Sequence, residues 1–153
     1  MAGSQGAELA QLLLAGFESL VDEVVADLAR RGHPGVTAAH EFALQAIDAG
    51  ARSASELGRR LDVSKQAAGK TIAALEGLGY VERRNDAVDA RRKTLTVTPR
   101  GRDMMRIGAE AFDRIRDRWA GQVGLARVES VEDALRMLSA ARGTPAADAA
   151  SLT

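Results

Sequence analysis

Two groups of side chains in this sequence are equipped to hold a polyanion. The first is Ser64, Lys65, Gln66 and Lys70; the second is Arg83, Arg84, Asp89, Arg91, Arg92 and Lys93. A serine at a helix start offers a hydroxyl and free amides to a phosphate oxygen. Gln66 can pair bidentately with adenine, and Lys65 or Lys70 can reach guanine or a phosphate. An arginine on a hairpin tip, such as Arg91, can enter a narrow minor groove, where negative potential is concentrated. Asp89 is expected to brace the Arg91 guanidinium with a bidentate contact. Arg83, Arg84, Arg92 and Lys93 suit steering or phosphate contact. Nothing comparable points to catalysis. No Ser/His/Asp spacing recurs, no glycine-rich phosphate loop follows a strand, and no catalytic residue is expected. With no Cys there is no disulfide, thiolate metal site or thiol switch, and two His make a weak zinc case. Neither a metal nor a cofactor is expected.

The elements that must position these groups run from Ser53 to Gly101. Ser53 and Glu56 form the pattern of a capping box ahead of a short helix with Leu57 and Leu61 inside. Asp62-Val63 breaks that helix, and Ser64 can cap a second one. Ala68, Ile72 and Leu75 fall on one face of it, leaving Lys65, Gln66, Gly69 and Lys70 outside. Gly79 marks its end, being free to take the left-handed conformation. Tyr80–Arg83 and Leu95–Thr98 then read as paired strands around a polar tip, Asn85 to Lys93. Two short helices, a tight turn and a charged hairpin make a winged helix-turn-helix.

The charge supports that placement. The formal net charge of zero hides an asymmetry. Residues 1–51 carry two Arg against seven acids, residues 52–102 twelve Arg or Lys against six acids, and residues 103–153 seven against eight. The positive segment is the winged helix, where phosphate contacts are needed.

From Leu57 to Gly101 the chain resembles the multiple-antibiotic-resistance regulator (MarR) family of bacterial transcription factors. The resemblance is carried by Glu56-Leu57, Leu61-x-Val63-Ser64, Leu75-Glu76-x-x-Gly79-Tyr80-Val81-x-Arg83, Asp89-x-Arg91, and Leu95-Thr96-Val97-Thr98-Pro99-x-Gly101. It extends more loosely over residues 8–140. One departure is the small-sided run Ala67-Ala68-Gly69 in the recognition helix. The family's Asp-x-Arg pattern falls on Asp89 and Arg91.

On either side lie helices. Glu8 to Arg31 carries Leu9, Leu13, Phe17, Leu20, Val24 and Leu28 at helical spacing, widened by Leu12, Leu14, Val21 and Val25. Thr37 is expected to cap a helix to about Ala49, with Phe42, Ala46 and Ile47 inward. Thr98-Pro99 starts another, whose seam reads Met105, Gly108, Phe112, Ile115, Trp119. Gly121 to Gly124 interrupts it, and Ala126 to about Ala141 forms the last helix. The apolar stripe of the first helix exceeds what one chain of this size needs. The alternative is that these helices complete a monomeric core.

The resemblance implies that the terminal helices of two subunits interlock into a homodimer, setting two recognition helices roughly 34 Å apart on an inverted repeat. It also implies a small aromatic or phenolic effector bound between the dimer helices and the winged helix, lowering DNA affinity. Candidate lining residues are Phe17, His33, His40, Phe42 and Trp119.

The expected fold is mainly α with a small β-wing: a winged helix-turn-helix flanked by N- and C-terminal dimerisation helices. Its segments are a disordered 1–6, supporting and dimerisation helices at 7–50, the DNA-binding domain at 51–101, dimerisation helices at 102–142 and a flexible tail at 143–153. The expected function is a DNA-binding regulator, with one rival: a winged helix used as a protein–protein module. No apolar run reaches the ~18 residues of a membrane span, so the expected compartment is the cytoplasm.

Overall fold

A computed structural model describes residues 3–141. In chain order the elements are α1 (Gln5–Arg30), α2 (Ala38–Asp48), α3 (Ala54–Leu61), α4 (Lys65–Gly77), β1 (Val81–Asn85), β2 (Lys93–Val97), α5 (Pro99–Val123) and α6 (Leu125–Ala140). The chain divides into two compact units, residues 1–112 and 113–153. The architecture is mainly helical with one two-stranded antiparallel sheet, as the sequence implies.

In the first unit the helix-turn-helix closes its own apolar face. Leu57 on α3 and Ala68, Ile72 and Leu75 on α4 are all buried, the three on α4 being those that the four-then-three spacing selects. Between the helices, Asp62 takes a left-handed conformation (φ 56°) and Val63 donates to the Gly58 carbonyl at 2.9 Å. The turn is tight enough that a Cβ at Gly58 would stand 2.9 Å from the Val63 carbonyl oxygen. A side chain at 58 would push the two helices apart. At the end of α4, Gly79 (φ 79°) reverses the chain while Tyr80 donates back to the Leu75 carbonyl at 2.9 Å. The hairpin pairs Val81 with Val97, Arg83 with Leu95 and Asn85 with Lys93. Val81, Leu95 and Val97 are buried there.

Several boundaries and faces differ from the sequence expectation. Helix α1 begins at Gln5, not near Glu8, because Ser4 Oγ accepts from the Ala7 amide at 3.3 Å. Residues 4–6 therefore belong to a capped helix and not to a disordered leader. Glu56 completes its cap one residue early: Ser53 Oγ accepts from the Glu56 amide at 3.2 Å, while Glu56 Oε2 accepts from the Arg52 amide, not that of Ser53, at 2.7 Å. Helix α2 is capped by Thr37 as expected, but it buries Glu41, Ala43, Leu44 and Ile47 and leaves Phe42 39% exposed. On α5 the buried residues of this unit are Gly101, Met104, Ile107, Gly108 and Ala111. Of the expected seam, Gly108 is buried as its spacing implies, while Met105 and Phe112 are only half-buried. Thr98 does cap this helix, accepting from the Gly101 amide at 3.1 Å.

In the second unit α5 continues through Gly121 and ends only at Gly124 (φ 95°). Arg116 holds Glu132 on α6 with both nitrogens, at 2.5 and 3.0 Å. Ile115 and Val128 are buried, whereas Trp119 is 42% exposed. The tail expected at 143–153 lies outside the described residues. No helix among the described residues is long and apolar enough to cross a membrane.

Candidate nucleic-acid interface

Helix α4 begins with Ser64 as its cap, the hydroxyl accepting from the Ala67 amide at 3.0 Å. The first helical amides, those of Lys65 and Gln66, have no carbonyl one turn back and point out of the helix end. Lys65, Gln66, Ala67 and Lys70 are exposed; Gly69 is half-buried. One face of α4 is therefore sealed into the core, and the other presents amides, an amide side chain and two ammonium groups. That is the arrangement a phosphate and a base edge require.

The wing loop between β1 and β2 is organised by its own aspartates. The Asp86 amide donates to the Arg92 carbonyl at 2.9 Å, closing the loop. Asp86 Oδ1 accepts from the Val88 amide at 2.8 Å, which holds this carboxyl below its usual range. Asp89 Oδ1 accepts from the Arg91 amide at 3.0 Å, and the Asp89 carbonyl accepts from the Arg92 amide at 3.0 Å. The sequence suggests the Arg91 guanidinium as the partner of Asp89; the bond formed is instead to the backbone. An Asx turn is the shorter-range option for an aspartate two residues before its partner. Asp89 positions Arg91 by shaping the turn beneath it.

The wing cations fall into two groups. Arg83 Nε donates to Glu76 Oε1 on α4 at 3.0 Å, Arg84 pairs with Glu82, and Lys93 Nζ donates to Asn85 Oδ1 at 2.6 Å. These three are tethered to the hairpin or to α4. Arg91 and Arg92 are exposed, and neither side chain enters an ion pair among the described residues. The untethered cations of the wing lie at its tip.

The expected effector residues separate. Phe17 and Phe42 stack, with ring centroids 6.1 Å apart and planes at 20°. His40 is spent on the α2 cap, its Nδ1 accepting from the Thr37 amide at 3.2 Å. His33 is buried, with Nδ1 3.0 Å from the Tyr80 hydroxyl and Nε2 2.9 Å from Asp103 Oδ2. The His33 bond, then the Arg106 bond, hold Asp103 below the usual carboxylate range. Trp119 lies in the second unit.

Sequence reasoning passes over Arg100. Its Nε donates to the Leu78 carbonyl at 3.2 Å and its Nη2 to the Gly32 carbonyl at 3.1 Å, with the guanidinium 5.2 Å from the Tyr80 ring centroid. With His33, Tyr80 and Asp103 it fastens the wing base to the α1–α2 loop and to the start of α5. Only folding reveals this, because its partners are backbone carbonyls far away in sequence.

The architecture defines a winged helix-turn-helix protein. Residues 35–92, from the turn before α2 to the wing tip, match the model of the MarR family. Among solved structures the chain is similar to the transcriptional regulator BldR from Sulfolobus solfataricus, at 23% identity and a TM-score of 0.60, covering 90% of this chain and 99% of that one. It is similar to Bordetella bronchiseptica BpsR, described by its regulation of DNA binding by 6-hydroxynicotinic acid, at 18% identity and a TM-score of 0.67, covering 91% and 98%. It is also similar to a mutant of S. aureus MepR bound to an oligodeoxyribonucleotide, at 18% identity and a TM-score of 0.57, covering 86% and 96%. At these identities the likeness is one of fold. No curated protein matches the chain.

Proposed function

We propose that the chain is a transcriptional regulator that binds an inverted-repeat duplex operator as a homodimer in the cytoplasm, acting as a repressor that a small molecule releases. The observation carrying this proposal is the pairing of the sealed, polar-faced α4 with a wing whose free cations, Arg91 and Arg92, sit on a loop ordered by Asp86 and Asp89. Ser64, Lys65, Gln66 and Lys70 engage the major groove and its phosphates; Arg91 enters the minor groove. Arg92 contacts phosphate, while Arg83, Arg84 and Lys93 raise the local positive potential from their tethered positions.

The dimer is supported by apolar surface that one chain leaves open: Leu9, Leu12 and Leu14 on α1 and Leu135, Met137 and Leu138 on α6 are all exposed. Effector release draws support from the half-exposed Phe17–Phe42 pair and, by likeness of fold, from the BpsR description. Selection of bound fragments from random duplex DNA, followed by mobility-shift titration over salt, tests the whole. A symmetric motif and a steep fall in affinity with salt are expected. Binding indifferent to both sequence and salt would sink the proposal and favour a protein-binding winged helix.

A further inference from the structure

Between residues 51 and 101 only two large apolar side chains among the described residues are exposed, Val63 at 45% and Val88 at 97%. The others lie on α1, α2, α5 and α6, so the surfaces offered to a second copy do not account for Val88. A single exposed valine is ordinary in itself. This one is held in place. The Asp86 amide and the Arg92 carbonyl close the loop, which leaves residues 87–91 as its tip. The Val88 and Arg91 amides each donate to an aspartate, to Asp86 Oδ1 at 2.8 Å and to Asp89 Oδ1 at 3.0 Å. Both carboxylates are thereby drawn onto the backbone. Ala87, Val88, Ala90 and Arg91 are left exposed. From Asp86 to Arg92 two acids balance two arginines, so net charge does not draw the tip to phosphate. What the tip offers is a small apolar surface beside guanidinium groups. Valine has a single, stiff side-chain torsion, and ordering it against a partner costs little entropy.

We infer that Val88 enters the minor groove together with Arg91 and determines specificity there, by rejecting guanine beneath the wing. The floor of that groove presents only acceptors at A·T pairs, whereas guanine adds its 2-amino donor. A guanidinium satisfies the acceptors. Val88 has nothing to offer a donor, so a guanine under it would lose its water and gain no bond. Apolar side chains serve as minor-groove wedges for this reason, and a tip built of alanine and valine is narrow enough for a groove about 6 Å wide. The cations give attraction; the valine gives discrimination. This inference deepens the regulator proposed above and rests on that proposal.

The test takes the operator obtained by selection and locates the wing by the base pairs whose hydroxyl-radical protection is lost in Arg91→Ala. Those pairs are expected to be A·T. A second duplex carries 2,6-diaminopurine for adenine at them, which adds the 2-amino group to the minor groove and leaves the major-groove edge unchanged. In mobility-shift titration the full-length wild type is expected to bind the modified duplex about tenfold more weakly. Val88→Ala should melt as wild type does, bind the unmodified operator about fivefold more weakly, and lose at most about twofold on the modified one. Val88→Thr keeps the shape but offers a hydroxyl to the amino group, and should discriminate as little as Val88→Ala. Lys65→Ala, a change on α4, should weaken both duplexes and keep the wild-type ratio. Guanine at the wing pairs, equal discrimination by wild type and Val88→Ala, full discrimination by Val88→Thr, wild-type affinity of Val88→Ala for the unmodified operator, or loss of the ratio in Lys65→Ala would each overturn the inference and leave the regulator standing. A chain that binds no duplex at all overturns both.

Discussion

The winged helix and the terminal helices of this chain finish their folding differently. From Leu57 to Val97 the inward residues are sealed: Leu57, Ala68, Leu75 and Tyr80 are at 0% exposure and Ile72 at 1%. On α1 the same helix passes from Val24 and Leu28, both at 0%, to Leu12 at 63%, four turns nearer its start. On α6 Val128 is at 1% and Leu138 at 60%. The apolar periodicity is equally regular in both regions, so periodicity does not report whether a face has found a partner. The contrast separates a segment whose core is satisfied within one chain from helices whose stripes outrun it.

The largest effect should follow from breaking the second region alone. Leu12→Glu combined with Leu138→Glu changes two exposed positions and is expected to leave a folded monomer by sedimentation. Operator affinity should fall on the order of a hundredfold or more, because bivalent attachment is lost. A variant that sedimented and bound the operator as wild type does would show that these exposed stripes hold no second copy. Arg91→Ala comes next, with an expected loss of about tenfold in operator affinity and a shallower salt dependence in mobility-shift titration. Asp89→Ala should show part of that loss although it removes a negative charge, since the turn under Arg91 is released; a gain in affinity would mean that Asp89 acts only through its charge.

Smaller effects sharpen the first region. Gly58→Ala forces the Val63 carbonyl away from α3 and should cost about 1–3 kcal/mol in denaturant unfolding, with the secondary structure otherwise retained. The smallest is in the pH dependence. Asp103 has a depressed carboxyl pKa, so its contribution is complete above the unfolded value and disappears as pH falls through the folded one. Asp103→Asn should flatten the acid limb of a plot of melting temperature against pH. Glu41 acts with opposite sign: its raised pKa favours the fold below the ordinary glutamate value, and that contribution is lost as pH rises through the raised one. Glu41→Gln should therefore remove a loss of melting temperature that otherwise sets in as pH rises above the ordinary glutamate value. Unchanged limbs would show that these carboxyls titrate alike in folded and unfolded chains.

Much of the candidate interface was legible because it is built from local signals. Ser64, Gly79 and the Ala68-Ile72-Leu75 spacing each act within one helical turn, and each appears where the sequence puts it. What local signals could not supply was the partner of a long side chain. The spacing of Asp89 and Arg91 suits either a backbone or a guanidinium bond, and the folded turn makes the bond to the Arg91 amide. His33 looks like a ligand-site residue in sequence but is paired with Tyr80 and Asp103, 47 and 70 residues away.

By itself the sequence determined where α4 starts and stops, which residues it buries, and that the positive charge gathers on the winged helix. Those outcomes depend on caps, left-handed glycines, periodicity and composition, all readable along the chain. The tertiary structure alone decided that α5 presents Met104, Ile107 and Ala111 instead of Met105 and Phe112, that Phe42 turns out to meet Phe17, and that Glu41 turns in against Gly108. A rotation of one residue about a helix changes little in its periodic pattern. Which neighbour is there to receive each side chain is fixed only when distant segments pack.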